Sequence, residues 1–90
     1  MDRYLVISEH TVEDCHMAVK HFLKFHAGFL THFEWGCFDG DHHAYAIIEA
    51  ESHENAKMSV PPLFREKAKA IKLCQFKMEQ FEDIAHKKKN

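Results

Sequence analysis

The fold is decided by one stretch, residues 33–45, which runs Phe33-Glu34-Trp35-Gly36-Cys37-Phe38-Asp39-Gly40-Asp41-His42-His43-Ala44-Tyr45. It contains the only tryptophan of the chain and two of its three glycines, with apolar or aromatic residues on both sides of the glycines. Alternating residues around an Asp-Gly-Asp turn predict two strands joined as a hairpin. The tip of this hairpin carries carboxylate and imidazole groups, which can bind a metal or transfer a proton.

Before the hairpin, the sequence predicts one strand and one helix. Residues 3–8 are β-prone and apolar at both odd and even positions, which is typical of a strand covered on both faces. Thr11 is a predicted helix N-cap with Asp14 at the capping-box position, and apolar residues at helical spacing continue to about Phe25. Gly28 is the predicted end of this helix.

After the first strand and helix, the sequence predicts hairpin strands over residues 31–38 and 43–49. Ser52 then caps a second helix, which must end at Pro61-Pro62 because proline interrupts helices. Residues 67–76 are predicted as a fourth strand, and an apolar stripe over residues 78–85 predicts an extra C-terminal helix. The predicted fold is a single α+β domain over residues 1–90, with the ferredoxin-like order βαββαβ followed by one more helix.

The predicted topology leaves one face of the sheet open. Right-handed crossovers place both helices on the same face of a four-stranded antiparallel sheet. The strand over residues 43–49 nevertheless has Ala44 and Ala46 on one face and Tyr45 and Ile47 on the other, and the first strand is apolar on both faces as well. A chain of 90 residues has a small core of its own. The sequence therefore predicts a homodimer formed through the open sheet face.

Four motifs give the chain a resemblance to a known family. They are Glu9-His10-Thr11-Val12-Glu13-Asp14-Cys15, Glu34-Trp35-Gly36-Cys37, Gly40-Asp41-His42 and Val60-Pro61-Pro62-Leu63. With the predicted element order, they make the chain resemble the dimeric α/β-barrel superfamily, and within it a group of small uncharacterised bacterial proteins. The resemblance implies two ferredoxin-like subunits packed sheet against sheet around a cavity. The superfamily includes antibiotic-biosynthesis monooxygenases, muconolactone isomerases and stress-responsive barrel proteins, and the fold alone does not select among them.

Composition argues against several other classes of protein. The formal charge of −2 and the scattered basic residues give no reason to expect nucleic acid as a partner. The sequence has neither an apolar run long enough to span a membrane nor a signal-peptide pattern, so a cytoplasmic protein without a membrane partner is expected. Three cysteines at wide spacing indicate reduced thiols rather than a disulfide framework.

The predicted topology brings polar residues to one edge of the sheet, where the first strand ends beside the hairpin tip and the loop over residues 61–65. His10 and His42 are the first candidate pair, because neutral imidazole is both a common metal ligand and the usual proton shuttle. Together with Cys37 they form the predicted metal site, with Asp41 as an alternative third ligand. Such a mixed set of ligands suits zinc or another divalent transition metal.

A metal-free alternative uses the same edge of the sheet for catalysis. Asp41 then orients His42, which acts as general base in an isomerase-like or monooxygenase-like enzyme. Arg65 is predicted to hold a substrate carboxylate, while Trp35 and Glu34 are predicted to line the ligand cavity. These are the predicted substrate-binding residues.

The simplest interpretation of the hairpin tip needs no ligand at all, since Asp-Gly-Asp is ordinary turn chemistry and histidines on loops are often exposed. Cys15 stands in the apolar repeat of the first helix and is interpreted as a packed thiol. Two function classes stay open. One is a small-molecule enzyme or metal-dependent protein with its site at a dimer cavity, and the other is a non-catalytic homodimeric module that binds or senses a small ligand.

Overall fold

The computed structural model of the protein describes residues 1–25, 28 and 32–76. The predicted C-terminal helix lies outside these residues. Among the residues described, no helix combines the length and the apolar character needed to cross a bilayer. The elements are the strands β1 (Asp2–Glu9), β2 (Glu34–Trp35), β3 (His43–Ala50) and β4 (Lys69–Lys72), and the helices α1 (Cys15–Phe25), α2 (His53–Lys57) and α3 (Pro62–Arg65).

Within the described residues, the strands form one four-stranded antiparallel sheet in the order β2-β3-β1-β4. β1 is central and pairs with β3 along its whole length, from Asp2 opposite Ala50 to Glu9 opposite His43. On its other side, β1 pairs with β4. The α+β class and the antiparallel sheet are as predicted, and the strand order is compatible with a ferredoxin-like arrangement.

The core lies on the face of the sheet that the helices cover. Val6 of β1 and Ala46 of β3 stand opposite each other on this face and are buried. Phe22 of α1 is fully buried above them and packs edge-on against Phe33 and Trp35, with ring centroids 5.1 and 4.9 Å away. Such aromatic contacts add to the burial of apolar area. They fix α1 over the end of the sheet at which β2 meets β3.

Among the described residues, no helix packs on the other face of the sheet, which has an apolar centre. Because side chains alternate along a strand, Leu5, Tyr45 and Ile47 project away from the helices. Leu5 pairs with Ile47 on one side and with Ile71 on the other, so an apolar row crosses three strands. Ile47 and Ile71 are 45% and 47% exposed. The apolar residues predicted on the second face of the sheet are therefore present, on a face that no helix in the described part of the chain covers.

The two predicted helix N-caps are present in the structure, but the predicted helix end at Gly28 is not. The hydroxyl of Thr11 accepts from the amide of Asp14 (3.2 Å), and the hydroxyl of Ser52 accepts from the amide of Asn55 (3.0 Å). The expected end at Gly28 is wrong, because Gly28 is itself helical.

The proline pair also acts differently from the prediction. α2 ends at Lys57, before the pair, and Pro62 opens the short helix α3, which the sequence did not predict. Proline is well tolerated in the first turn of a helix, where its missing N–H has no partner to lose. The pair therefore starts a helix as well as preventing the continuation of the previous one.

Two strands are shorter than predicted. β2 was expected over residues 31–38 but comprises only Glu34–Trp35, because the chain leaves the ladder after Gly36 and enters a 3₁₀ turn over Cys37–Asp39. β4 was expected over residues 67–76 but ends at Lys72. The amide of Leu73 still donates to the carbonyl of Arg3 (2.9 Å), and the next position would meet the start of β1. β4 therefore ends opposite Tyr4, two residues short of the first residue of β1.

Candidate metal centre

Four side chains meet where β1 ends: His10, Cys15, Cys37 and His42. Each offers one ligand atom, and these atoms all lie within 4.8 Å of one another. The sulfur of Cys37 is 3.4 Å from Nε2 of His10, and the rings of His10 and His42 meet edge-on with centroids 5.5 Å apart. All four residues are half-buried. The three residues of the predicted metal site are therefore together, and a fourth has joined them.

The backbone explains why the two imidazoles meet. Glu9 and His43 are the last pair of the β1–β3 ladder. One residue further along β1, the amide of His10 donates to the carbonyl of His42 (3.1 Å), which extends the pairing beyond the strands. The chain then turns at the Thr11 cap and enters α1 at Cys15. The start of α1 therefore returns its first residue to the same edge of the sheet.

A tightly closed turn over residues 36–41 contains Cys37 and leads directly into His42. The carbonyl of Gly36 accepts from the amides of both Asp39 and Asp41, each at 3.0 Å, and the amide of Gly40 donates to the carbonyl of Cys37 (3.1 Å). Gly40 has φ +82°, a left-handed conformation that glycine adopts at little cost. A Cβ at Gly36 would lie only 2.8 Å from the carbonyl oxygen of Asp41. The predicted Asp-Gly-Asp tip is thus part of a longer turn that needs both glycines.

Burial shifts the pKa values of Cys37 and His10. It raises the pKa of the Cys37 thiol to about 11, and the neighbouring Cys15 thiol adds to the rise. Burial also lowers the pKa of His10, as do the nearby imidazoles of His42 and His43. At neutral pH, His10 is therefore the neutral ligand that metals require, while Cys37 must release its proton on binding a divalent cation.

His42 carries a polar atom that the described residues do not satisfy. Its Nδ1 is buried and has no hydrogen-bond partner in the part of the chain that the structure describes. A buried polar group left without a partner costs about 1–3 kcal/mol. A metal ion bound at this nitrogen would offset that cost. The observation is independent of the distances within the cluster and supports the same interpretation.

Asp41 belongs to a separate network on the open face of the sheet. Its Oδ1 lies 2.5 Å from Nδ1 of His43, and its Oδ2 accepts from the hydroxyl of Tyr45. The hydrogen bond from Tyr45, followed by that from His43, lowers the pKa of Asp41, and the same carboxylate raises the pKa of Tyr45. The expected Asp41–His42 pair is therefore replaced by an Asp41–His43 pair. Adjacent residues at a strand end point to opposite faces, and the carboxylate lies with His43.

The side chain of Arg65 donates hydrogen bonds to backbone carbonyls of the preceding loop. Its Nε donates to the carbonyl of Val60 (3.0 Å), and its Nη2 donates to the carbonyl of Met58 (3.4 Å). These bonds hold the connection between α2 and α3. A role for Arg65 in binding a substrate carboxylate stays a prediction.

The other two predicted substrate residues lie on different faces of the sheet. Trp35 is half-buried, and its ring lies 4.9 Å from that of Phe22 and 5.8 Å from that of His10, so it forms a wall between the core and the metal cluster. Glu34 is exposed and pairs in register with Tyr45 on the open face. Their substrate roles, like the catalytic roles of His42 and Asp41, stay predictions.

Cys15 is the candidate ligand that sequence reasoning missed. It was interpreted as a packed thiol because it stands in the apolar repeat of α1. A signal was present, since Cys15 follows the Thr11 cap by one helical turn and the cap directly follows His10. A first-turn residue of a helix that begins at this edge of the sheet must lie near the edge.

Comparison of the chain with protein-family models, with curated proteins and with solved structures gives no match. The interpretation of the site therefore depends on its own geometry and chemistry.

Proposed function

We propose that the protein binds a divalent transition metal, zinc above all, through His10, Cys15, Cys37 and His42. The observation that carries the proposal is the convergence of these four ligand atoms within 4.8 Å, from the end of β1, the start of α1 and the turn before β3. Two thiolates and two imidazoles are a standard zinc set. They also argue against calcium and magnesium, which prefer oxygen ligands.

The number of ligands favours metal binding over metal catalysis. Catalytic zinc sites keep three protein ligands and leave the fourth position to water or substrate, whereas structural sites fill all four. A centre with four protein ligands leaves no position of a tetrahedron open. The metal is therefore expected to hold β1, α1 and the turn together rather than to activate a water molecule.

The test is metal titration of the untagged, metal-free protein. Cobalt and zinc are expected to bind one ion per chain, with the absorption bands of cobalt–thiolate bonds. Cys15→Ser and His42→Ala each remove a ligand and are expected to weaken zinc binding by about 100-fold or more, since even loss of an outer-shell partner costs about 10–100-fold. Cys74→Ser is the control, because Cys74 is exposed and lies outside the cluster. Cobalt binding without thiolate bands, or unchanged affinity in Cys15→Ser, would contradict the proposal.

We further propose that the open sheet face binds a second copy of the chain. Its apolar row of Leu5, Ile47 and Ile71 is the kind of surface that a partner covers. A two-fold dimer brings the same face of both subunits together. The Asp41 network of each subunit would then face the space between the sheets, where a small ligand has access to it.

Charge complementarity supports a second copy as the partner. Glu34, Tyr45, Ile7 and Lys69 form one row across the sheet, acidic at the β2 edge and basic at the β4 edge. A two-fold axis parallel to the strands lays the β2 edge of one copy over the β4 edge of the other. Each glutamate then faces a lysine, and Tyr45 faces Ile7. Opposite charges across an interface fix its register.

Ile47→Glu is expected to convert the dimer into a monomer, because it places a charge in the middle of the proposed interface on both copies. Light scattering at micromolar concentration measures the result. Met58→Glu is the matched control, since Met58 is 54% exposed and follows α2, away from the open face. A wild-type protein that is monomeric under these conditions, or an Ile47→Glu variant that stays dimeric, would exclude this interface.

A further inference from the structure

A cleft with a volume of about 440 Å³ lies beside the metal centre, with His10 in its wall. It opens between the start of α1 and the helix α3. Met17 of α1 and Leu63 and Phe64 of α3 give it an apolar lining, and both Met17 and Leu63 are exposed. The volume falls within the range of small-molecule sites, about 300–1,000 Å³. Neither the metal nor the proposed dimer interface accounts for this apolar lining.

The charged residues of the cleft are mostly acidic. Glu9, Asp14 and Glu66 contribute carboxylates, against the single ammonium group of Lys67. Within the part of the chain that the structure describes, Asp14 and Glu66 make no salt bridge, while Glu9 lies 3.8 Å from the imidazole of His43. The cleft thus combines apolar side chains with carboxylates, and those of Asp14 and Glu66 make no salt bridge with the described residues. This combination attracts cations and repels anions.

We propose that this cleft binds an organic ammonium ion with an apolar body, such as a primary amine that carries an aromatic group. The apolar body covers Met17, Leu63 and Phe64, and the ammonium group lies among the carboxylates. Burial of the exposed side chains supplies the affinity, and the charge supplies the selectivity for an amine over an acid.

Metal occupancy is not required for this binding. The apolar side chains and the carboxylates that the amine is expected to contact are not among the candidate metal ligands. The ammonium ion is therefore expected to bind both the metal-free and the zinc-loaded protein. The proposal of amine binding and the proposal of metal binding can consequently be tested separately, and one can be wrong while the other is right.

The test compares 2-phenylethylamine with 3-phenylpropanoate, which has a similar apolar body and the opposite charge, by calorimetric titration at low ionic strength. The amine is expected to bind saturably, and the carboxylate at least about tenfold more weakly, which corresponds to about 1.4 kcal/mol. Chemical-shift changes on binding should appear at Met17 and Leu63. Equal binding of the two probes, or no binding of the amine, would overturn the proposal.

Charge-neutral variants locate the binding. The double substitution of Asp14→Asn with Glu66→Gln is expected to weaken amine binding by about five- to tenfold, as expected for two partly exposed charge contacts. Glu51→Gln is the matched control, because Glu51 is an exposed carboxylate that is not part of the cleft wall. Leu63→Ser should weaken both probes by removing apolar contact. Full amine affinity in the double variant, with its circular dichroism unchanged, would refute the assignment.

Discussion

Zinc is expected to raise the free energy of unfolding by about 4 kcal/mol when its free concentration is a thousand times the dissociation constant. The gain arises because the folded chain brings together ligands that lie up to 32 positions apart, from His10 to His42, whereas the unfolded chain does not. In a domain of this size, each kcal/mol shifts the melting temperature by about 4–8 °C. Chelation should return the protein to its metal-free stability.

Thermal and urea unfolding with zinc and with chelator measure this gain. Cys15→Ser should lose most of it, because it breaks the link between α1 and the turn. Cys74→Ser should keep the gain, because Cys74 lies outside the cluster. An equal gain in both variants would show that zinc stabilises the protein at another site and would contradict the proposed centre.

Gly36→Ala is expected to have the second large effect, through the turn that carries Cys37 and His42. The new Cβ would lie 2.8 Å from the carbonyl oxygen of Asp41 and 3.0 Å from its side chain. Asp41 cannot simply move away, because its amide is bonded to the carbonyl of Gly36 itself. Overpacking of this kind costs about 1–3 kcal/mol. A shifted turn should also separate the metal ligands, so that zinc affinity falls together with stability.

Gly40→Ala is the matched control within the same turn. Gly40 has a positive φ, but a Cβ there would meet nothing within 4 Å. Its substitution is therefore expected to cost about 1–2 kcal/mol of backbone strain and to leave the ligands in place. Urea unfolding and zinc competition with a chromophoric chelator measure both quantities. If Gly40→Ala lowered zinc affinity more than Gly36→Ala did, the steric explanation would be wrong.

Much of the sheet could be predicted because its signal is local and repeated. Apolar residues at both parities of β1 and β3 indicated central strands, and the βαββαβ order then placed the end of β1 beside the hairpin. That placement predicts that His10, Cys37 and His42 lie together, and in the structure they do. The strand lengths could not be predicted in the same way, because the pairing of β4 with β1 stops at Lys72 opposite Tyr4, and the point at which pairing stops is a property of the register.

The role of Cys15 and the partner of Asp41 could not be predicted, because neither is determined by the identity of a single residue. An apolar helix position suits both a packed thiol and a ligand, and the helical repeat alone predicts a packed thiol at Cys15. Asp41 precedes two histidines, and which of them it binds depends on where the turn ends and the strand alternation starts. The structure starts the strand at His43, which places His43 with Asp41 and His42 with the candidate metal ligands.

This alternation has a thermodynamic consequence. Asp41, His42 and His43 are consecutive, yet His42 belongs to the metal cluster and its two neighbours belong to the open face. Three consecutive residues therefore connect the proposed metal site to the proposed subunit interface. Linkage between two such sites is reciprocal. Any free energy by which a bound metal favours association of two chains must appear, in equal measure, as tighter metal binding by the associated pair.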